Sequence, residues 1–233
     1  WDLGLSAEIK GISRFCIHPP EMFNSTARVG GTKKLNIKAI RALQPDLVIG
    51  NREENSREEI ELLRQEFNVW MSDIVTINDA YAMMEQLGQI TGHEDRAKEL
   101  VQRIRNNMEF CKNMFSAQKV AYFIWHQPWM LAANGTFIHE MLNWLGFENT
   151  AANLSRYPEM DAERLKALKP EFCFLSSEPY PFKEQHAALL REILPETRVM
   201  FVDGEMFSWY GSRLLKMSEY AARLKKAMDD QYL

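Results

Sequence analysis

The chain has 233 residues, of which 46% are hydrophobic and 26% charged, enough to fill a core and remain soluble. Its formal charge of -4 leaves no basic excess to neutralise a phosphate backbone, so no nucleic-acid partner is expected. No apolar run approaches the roughly 20 residues of a membrane helix.

Short apolar runs alternate with helical patterns along the chain. Residues 47–49 (Leu-Val-Ile) follow Gln44-Pro45-Asp46 and precede Gly50-Asn51, a buried strand with turn signals at both ends. Residues 56–67 form a helix with Ile60, Leu63 and Phe67 on one face, and 69–71 a second strand. From 76 to 116 there is no strand signal and no proline. Ile77, Ala80, Tyr81, Met84 and Leu87 recur at helical spacing, and Gly92 interrupts. Ala97, Leu100, Val101, Ile104, Met108, Cys111 and Phe115 then continue as one stripe. A helix over 94–116 would reach about 35 Å at 1.5 Å per residue, enough to bridge two lobes. Further strands are predicted at 120–125, 172–175 and 199–202, and the alternation reads as α/β with mostly parallel sheets.

Residues 35–49 and 160–174 form an internal repeat at an offset of 125 throughout. Ala42-Leu43-Gln44-Pro45-Asp46-Leu47 answers Ala167-Leu168-Lys169-Pro170-Glu171-Phe172, and Asn36 and Asp161 both suit a helix N-cap. Each unit is a capped helix, a proline stop and a strand, so the sequence predicts a duplicated lobe on either side of the central helix. Loops at the carboxyl ends of parallel strands form ligand sites. The loops that follow these strands mix aromatic with polar residues: Gly50 to Asn55, Trp125 to Trp129, Ser176 to Phe182 and Asp203 to Tyr210. Such lining suits a bulky, partly apolar ligand. Trp125, Trp129, Trp209 and Tyr210 are stacking candidates, and His126, Glu54, Glu178 and Arg213 polar ones, Arg213 also being placed to pair with Glu205 or Asp203.

The three cysteines, Cys16, Cys111 and Cys173, match no zinc spacing, and their odd number excludes a complete disulfide framework. His18 lies two residues from Cys16, but no third group orients the pair, and His93, His139 and His186 read as structural. Gly30-Gly31-Thr32-Lys33 lacks the leading glycine of a phosphate loop. No metal site and no catalytic residue are assigned.

Several segments together carry a resemblance. They are Arg28-Val29-Gly30-Gly31-Thr32 leading into Asn36 and Leu43-Gln44-Pro45-Asp46-Leu47-Val48-Ile49; Tyr157-Pro158-Glu159; Leu168-Lys169-Pro170-Glu171; and Val202-Asp203-Gly204-Glu205 leading into Ser208-Trp209-Tyr210-Gly211-Ser212-Arg213. Over nearly its whole length the chain resembles the class III substrate-binding proteins of ABC importers, the helical-backbone metal receptors. The resemblance implies two Rossmann-like α/β lobes joined by one long rigid helix: an N-terminal lobe over 1–92, a connecting helix over 93–117 and a C-terminal lobe over 118–233. It implies a cleft ligand such as cobalamin, a ferric siderophore or haem, with contacts at Thr32, Asn51, Trp125, Tyr157, Glu205 and Trp209. It further implies a transient ABC permease partner, a monomer without intrinsic cofactor, and a periplasmic or envelope-anchored location. Cobalamin-binding members carry aromatic residues where this chain has Thr32 and Asn51. Members also dock on permease arginines through one glutamate per lobe; Glu163 keeps the second, whereas Lys38 stands at the first. The family's opening strand and its Ser-Pro-rich loop would precede residue 1. Two other readings stay open: a chelatase-like enzyme using His126 with Glu178 or Glu205, and a cytoplasmic ligand carrier, since the chain starts at Trp1 with no visible signal peptide.

Overall fold

A computed structural model describes residues 1–230. The chain divides into two compact units, Trp1–Asp73 and Ile74–Leu233. The sequence expectation counts residues up to 92 with the first lobe; the division falls earlier, ahead of the helices that follow.

In the first unit the elements run β1 (Gly11–Ile12), α1 (Pro20–Ser25), β2 (Ala27–Arg28), α2 (Ile37–Leu43), β3 (Val48–Asn51), α3 (Arg57–Arg64) and β4 (Val69–Ser72). Strand β1 pairs with β2 and β3 with β4, both parallel, as separate two-stranded sheets. Pro20 opens α1, where a missing N–H does no harm. Helix α3 buries Ile60 and Leu63, two members of its apolar stripe.

The second unit starts with α4 (Ile77–Thr91) and α5 (Glu94–Cys111). Thr76 accepts from the Asp79 N–H at 3.1 Å while the Asp79 carboxylate takes the Thr76 N–H at 2.8 Å, a capping box that fixes the start of α4. Gly92, at φ 69°, closes it. A Cβ on Gly88 would lie 2.4 Å from the Ala97 Cβ, so the bare glycine is what lets α4 and α5 pack this closely. Helix α5 stops five residues short of the expected 116. Lys112 is extended, and the N–H groups of Asn113, Phe115 and Ala117 bond instead to the carbonyls of Trp144, Leu145 and Gly146. The 18 residues of α5 span about 27 Å rather than 35 Å.

There follow β5 (Lys119–Trp125), β6 (Trp129–Leu131), α6 (Phe137–Leu145), β7 (Glu148–Asn149), β8 (Glu159–Met160), α7 (Ala162–Leu168), β9 (Phe172–Ser176), α8 (Glu184–Ile193), β10 (Arg198–Val202), α9 (Glu205–Ser208), a 3-10 turn (Ser212–Lys216) and α10 (Met217–Asp230). The strands make one six-stranded sheet in the order β10-β9-β5-β6-β8, with β7 also on β5. β10, β9, β5 and β7 are parallel, and β6 runs against β5 and β8. Alternation along β5 sends Val120, Tyr122 and Ile124 into the core shared with α4, α5, α6 and α10, and Ala121 and Phe123 into the core shared with α7 and α8.

The internal repeat is visible in the backbone. Helices α2 and α7 occupy matching positions, capped by Asn36 accepting from Ala39 N–H at 3.1 Å and by Asp161 accepting from Arg164 N–H at 2.8 Å. Both leave through a left-handed residue, Gln44 (φ 47°) and Lys169 (φ 46°), before their prolines and strands.

Candidate functional site

Strand β5 delivers Trp125 to the carboxyl edge of the second unit's sheet, and the turn into β6 adds His126 and Trp129. Trp125 is 41% exposed although it ends the central strand, so its indole is open for contact rather than spent on the core. The loop after β9 brings Tyr180 edge-on to Trp125, ring centres 5.3 Å apart. His126 lies 4.4 Å from Trp129 and 4.9 Å from the buried His186 of α8, ring centre to ring centre. Tyr180 and Phe182 pack at 4.9 Å, and Trp129 stacks on Phe182 at 6.2 Å. Burial, with the neighbouring His186, lowers the His126 pKa, which favours a neutral ring.

A polar edge adjoins this ring surface along the chain. Glu178 Oε1 accepts from Ser208 Oγ and from Trp209 Nε1, each at 2.7 Å, so the carboxylate fixes the plane of the Trp209 indole. Burial raises the Glu178 pKa; the two hydrogen bonds oppose that rise, and the Glu205 and Asp203 charges add to it. Arg213 Nη2 reaches Glu205 at 2.5 Å and Asp203 at 3.4 Å, while Arg213 Nε is buried without a partner among the described residues. Gly204 permits this packing, since a Cβ there would stand 2.4 Å from Ser176 Oγ and 2.6 Å from Glu178 Cγ.

The structure thus gathers Trp125, His126 and Trp129 into one group and Glu178, Glu205, Trp209 and Arg213 into another, with the loop after β9 serving both. Tyr157 and Tyr210 instead pack on the α4–α5 side of the sheet, Tyr210 against Phe137 at 5.4 Å and Tyr157 under the Arg156 guanidinium at 5.7 Å. The groups that act on His126 are aromatic rings and His186, not Glu178 or Glu205. Among the described residues no set of three or more His, Cys, Asp or Glu is placed to hold a metal ion.

In the first unit, Thr32 Oγ1 donates to Glu54 at 3.2 Å and the Thr32 carbonyl accepts from Asn55 at 3.0 Å. Asn51 Oδ1 takes the N–H groups of Glu53 and Glu54, and its amide donates to Ser72 at 3.1 Å. Thr32, Asn51 and Glu54 therefore share one polar group at the ends of β3 and β4. Lys38 on α2 and Glu163 on α7 are both exposed in the first helical turn, at matching repeat positions, and Glu163 pairs with Lys166 at 2.8 Å. Sequence reasoning passed over Tyr180, Phe182 and His186 as site residues. The aromatic content of the loop was visible; that α8 folds its third residue back under Tyr180 was not.

The vitamin B12-binding protein of Vibrio parahaemolyticus is 28% identical over 179 residues, 74% of this chain and 64% of that protein. The chain thus spans less than two thirds of that relative's length. Among solved structures, the apo periplasmic haem-binding protein of Roseiflexus sp. RS-1 superposes with a TM-score of 0.83 at 17% identity, covering 97% of this chain and 93% of that one. The periplasmic vitamin B12-binding protein of Vibrio cholerae superposes with a TM-score of 0.75 at 21% identity, covering 97% and 91%. These two likenesses concern the fold. Among the described residues no helix is long and apolar enough to cross a membrane. The sequence profile of the periplasmic binding proteins matches residues 2–195, most of the chain, and the protein belongs to that family.

Proposed function

We propose that the chain is the substrate-binding component of an ABC-type importer that takes up a metal chelate, of the cobalamin, haem or ferric siderophore class, and passes it to a membrane permease. The observation that carries this reading is the ring surface of Trp125, His126, Trp129 and Tyr180 at the carboxyl edge of a parallel sheet, with Trp209 held on Glu178 of the same loop after β9. Flat aromatic faces with few hydrogen-bonding groups suit a large ring system better than a small polar solute. Names of relatives support the same class, a vitamin B12-binding protein and haem-binding proteins among them. Thr32, Asn51, Glu54, Tyr157, Glu205, Tyr210 and Arg213 are proposed as further contacts, and Lys38 and Glu163 as permease-docking residues. On this reading the protein is a monomer of the cell envelope that binds cargo and catalyses nothing.

The test is a titration of the purified chain with cyanocobalamin, haemin and ferrichrome, followed by absorption and by calorimetry. Saturable one-to-one binding of at least one chelate is expected, weakened about tenfold or more by Trp125→Ala. Absence of saturable binding by all three would sink the proposal.

A further inference from the structure

Tyr180 and His186 carry hydrogen-bond geometry that settles where their protons sit. The Lys183 backbone N–H donates to His186 Nδ1 at 2.9 Å. A backbone amide has only a hydrogen to offer, so Nδ1 carries none, and the neutral ring holds its proton on Nε2. That nitrogen lies 3.0 Å from the Tyr180 hydroxyl, so the imidazole donates and the phenol oxygen accepts. The Gln185 side-chain nitrogen stands 3.3 Å from the same Nε2; two donors cannot bond each other, so with the proton on Nε2 the Gln185 amide is turned to present its oxygen there. His186 is 3% exposed and wedged between Tyr180 and Phe182, ring centres 5.2 and 5.6 Å away, so the imidazole cannot easily turn. The hydroxyl hydrogen of Tyr180 is left over, and no described residue takes it. Tyr180 is half-buried, and its ring stands at 65° to that of the partly exposed Trp125, 5.3 Å centre to centre.

Resting on the importer reading above, we propose that Tyr180 is a ligand-contacting residue whose hydroxyl donates to an oxygen or nitrogen acceptor on the rim of a ring system lying on Trp125, and that His186 is the positioning residue that turns that donor outward. Trp125 supplies the face and Tyr180 a wall at 65° to it, so a flat ligand on the first meets the second with its edge. The chemistry selected is a planar or macrocyclic chelate with an acceptor at its periphery, such as a carbonyl, amide or carboxylate. A purely hydrocarbon-edged ring would leave the phenol hydrogen unsatisfied on binding and bind less well.

Two measurements test this. A long-range proton–nitrogen correlation spectrum of the full chain without ligand should show His186 as the Nε2–H tautomer; an Nδ1–H tautomer overturns the proposal in the absence of any cargo. Affinities for cyanocobalamin, haemin and ferrichrome are then measured for wild type, Tyr180→Phe, His186→Phe and the double variant. For whichever chelate the wild type binds, Tyr180→Phe should weaken binding about fivefold to tenfold, the loss of one neutral hydrogen bond. His186→Phe should weaken it to a similar degree, and should add nothing in the Tyr180→Phe background, because its effect passes through the hydroxyl. A full extra loss in the double variant would mark His186 as merely structural and overturn its positioning role. If the wild type binds a chelate and Tyr180→Phe binds it as tightly, this inference falls while the importer reading stands. If the wild type binds none, both fall.

Discussion

Glu178 is a residue at the proposed site whose chemistry departs from its ordinary state. Burial lifts its carboxyl above the usual 4.5, Ser208 and Trp209 pull it back, and Glu205 and Asp203 lift it further. The folded protein therefore holds this proton more tightly than the unfolded chain does. Just above pH 4.5 the native state still binds a proton that the unfolded state has released, so stability falls as pH rises through that window. Glu178→Gln keeps an oxygen for Ser208 and Trp209 but cannot ionise. Urea unfolding across this range should show a shallower decline for the variant, with stability at neutral pH equal to or above wild type. A slope identical to wild type would mean that the carboxylate is already well solvated. His126 shifts in the opposite sense for an analogous reason: burial disfavours its cationic form, as it disfavours the anionic form of Glu178.

At the scale of the element, helix exits depend on what surrounds them. Gly146 ends α6 at φ 95°, and a Cβ there would stand 2.3 Å from the Phe115 carbonyl oxygen. Gly92 ends α4 at φ 69° with nothing within 4 Å of an added Cβ. Gly92→Ala should cost about 1 kcal/mol, the left-handed penalty alone, and Gly146→Ala roughly 2 kcal/mol or more, because a backbone clash adds to it. Chemical denaturation of the two variants compares them directly; equal losses would show that the loop 112–117 gives way. That same loop explains which elements were legible from the sequence. The strands β3, β4, β5, β9 and β10 are apolar runs between turn residues, and the Asn36 and Asp161 caps are local signals, so each could be read one segment at a time. The end of α5 could not, because Cys111 and Phe115 continue the helical stripe while long-range bonds to Trp144 and Leu145 end the helix early. Strands β6, β7 and β8 are two or three residues long and defined only by their neighbours. The candidate site divides likewise. Trp125 was apparent as a strand-end aromatic and Trp129 as an aromatic of the loop after it, whereas the Tyr180–His186 bond joins a loop to the first turn of a helix whose histidine reads from sequence as an ordinary structural residue.

For the whole molecule, buried apolar mass is unevenly shared. Both large core clusters, one on each face of the six-stranded sheet, are built from residues after 73. The buried hydrophobics of the first unit are Ile12, Met22, Ile40, Ile60 and Leu63. Two-stranded parallel sheets with so small a core are marginal in water. A fragment of residues 74–233 should unfold cooperatively by far-UV circular dichroism in urea, and a fragment of residues 1–73 should show no cooperative transition. A sharp transition in the smaller fragment would show that its packing suffices without the rest. The repeated α2–β3 and α7–β9 segments bear on the history of this imbalance. Gln44 and Lys169 both tolerate a backbone shape that glycine would adopt more readily, at the same place in each copy. The two segments share little beyond their Ala-Leu-x-Pro-acid run, yet both bend at the same place, as copies of one unit would. The bend belongs to the repeated unit and the loops beyond it do not, so a change of cargo need not wait for matched mutations in both.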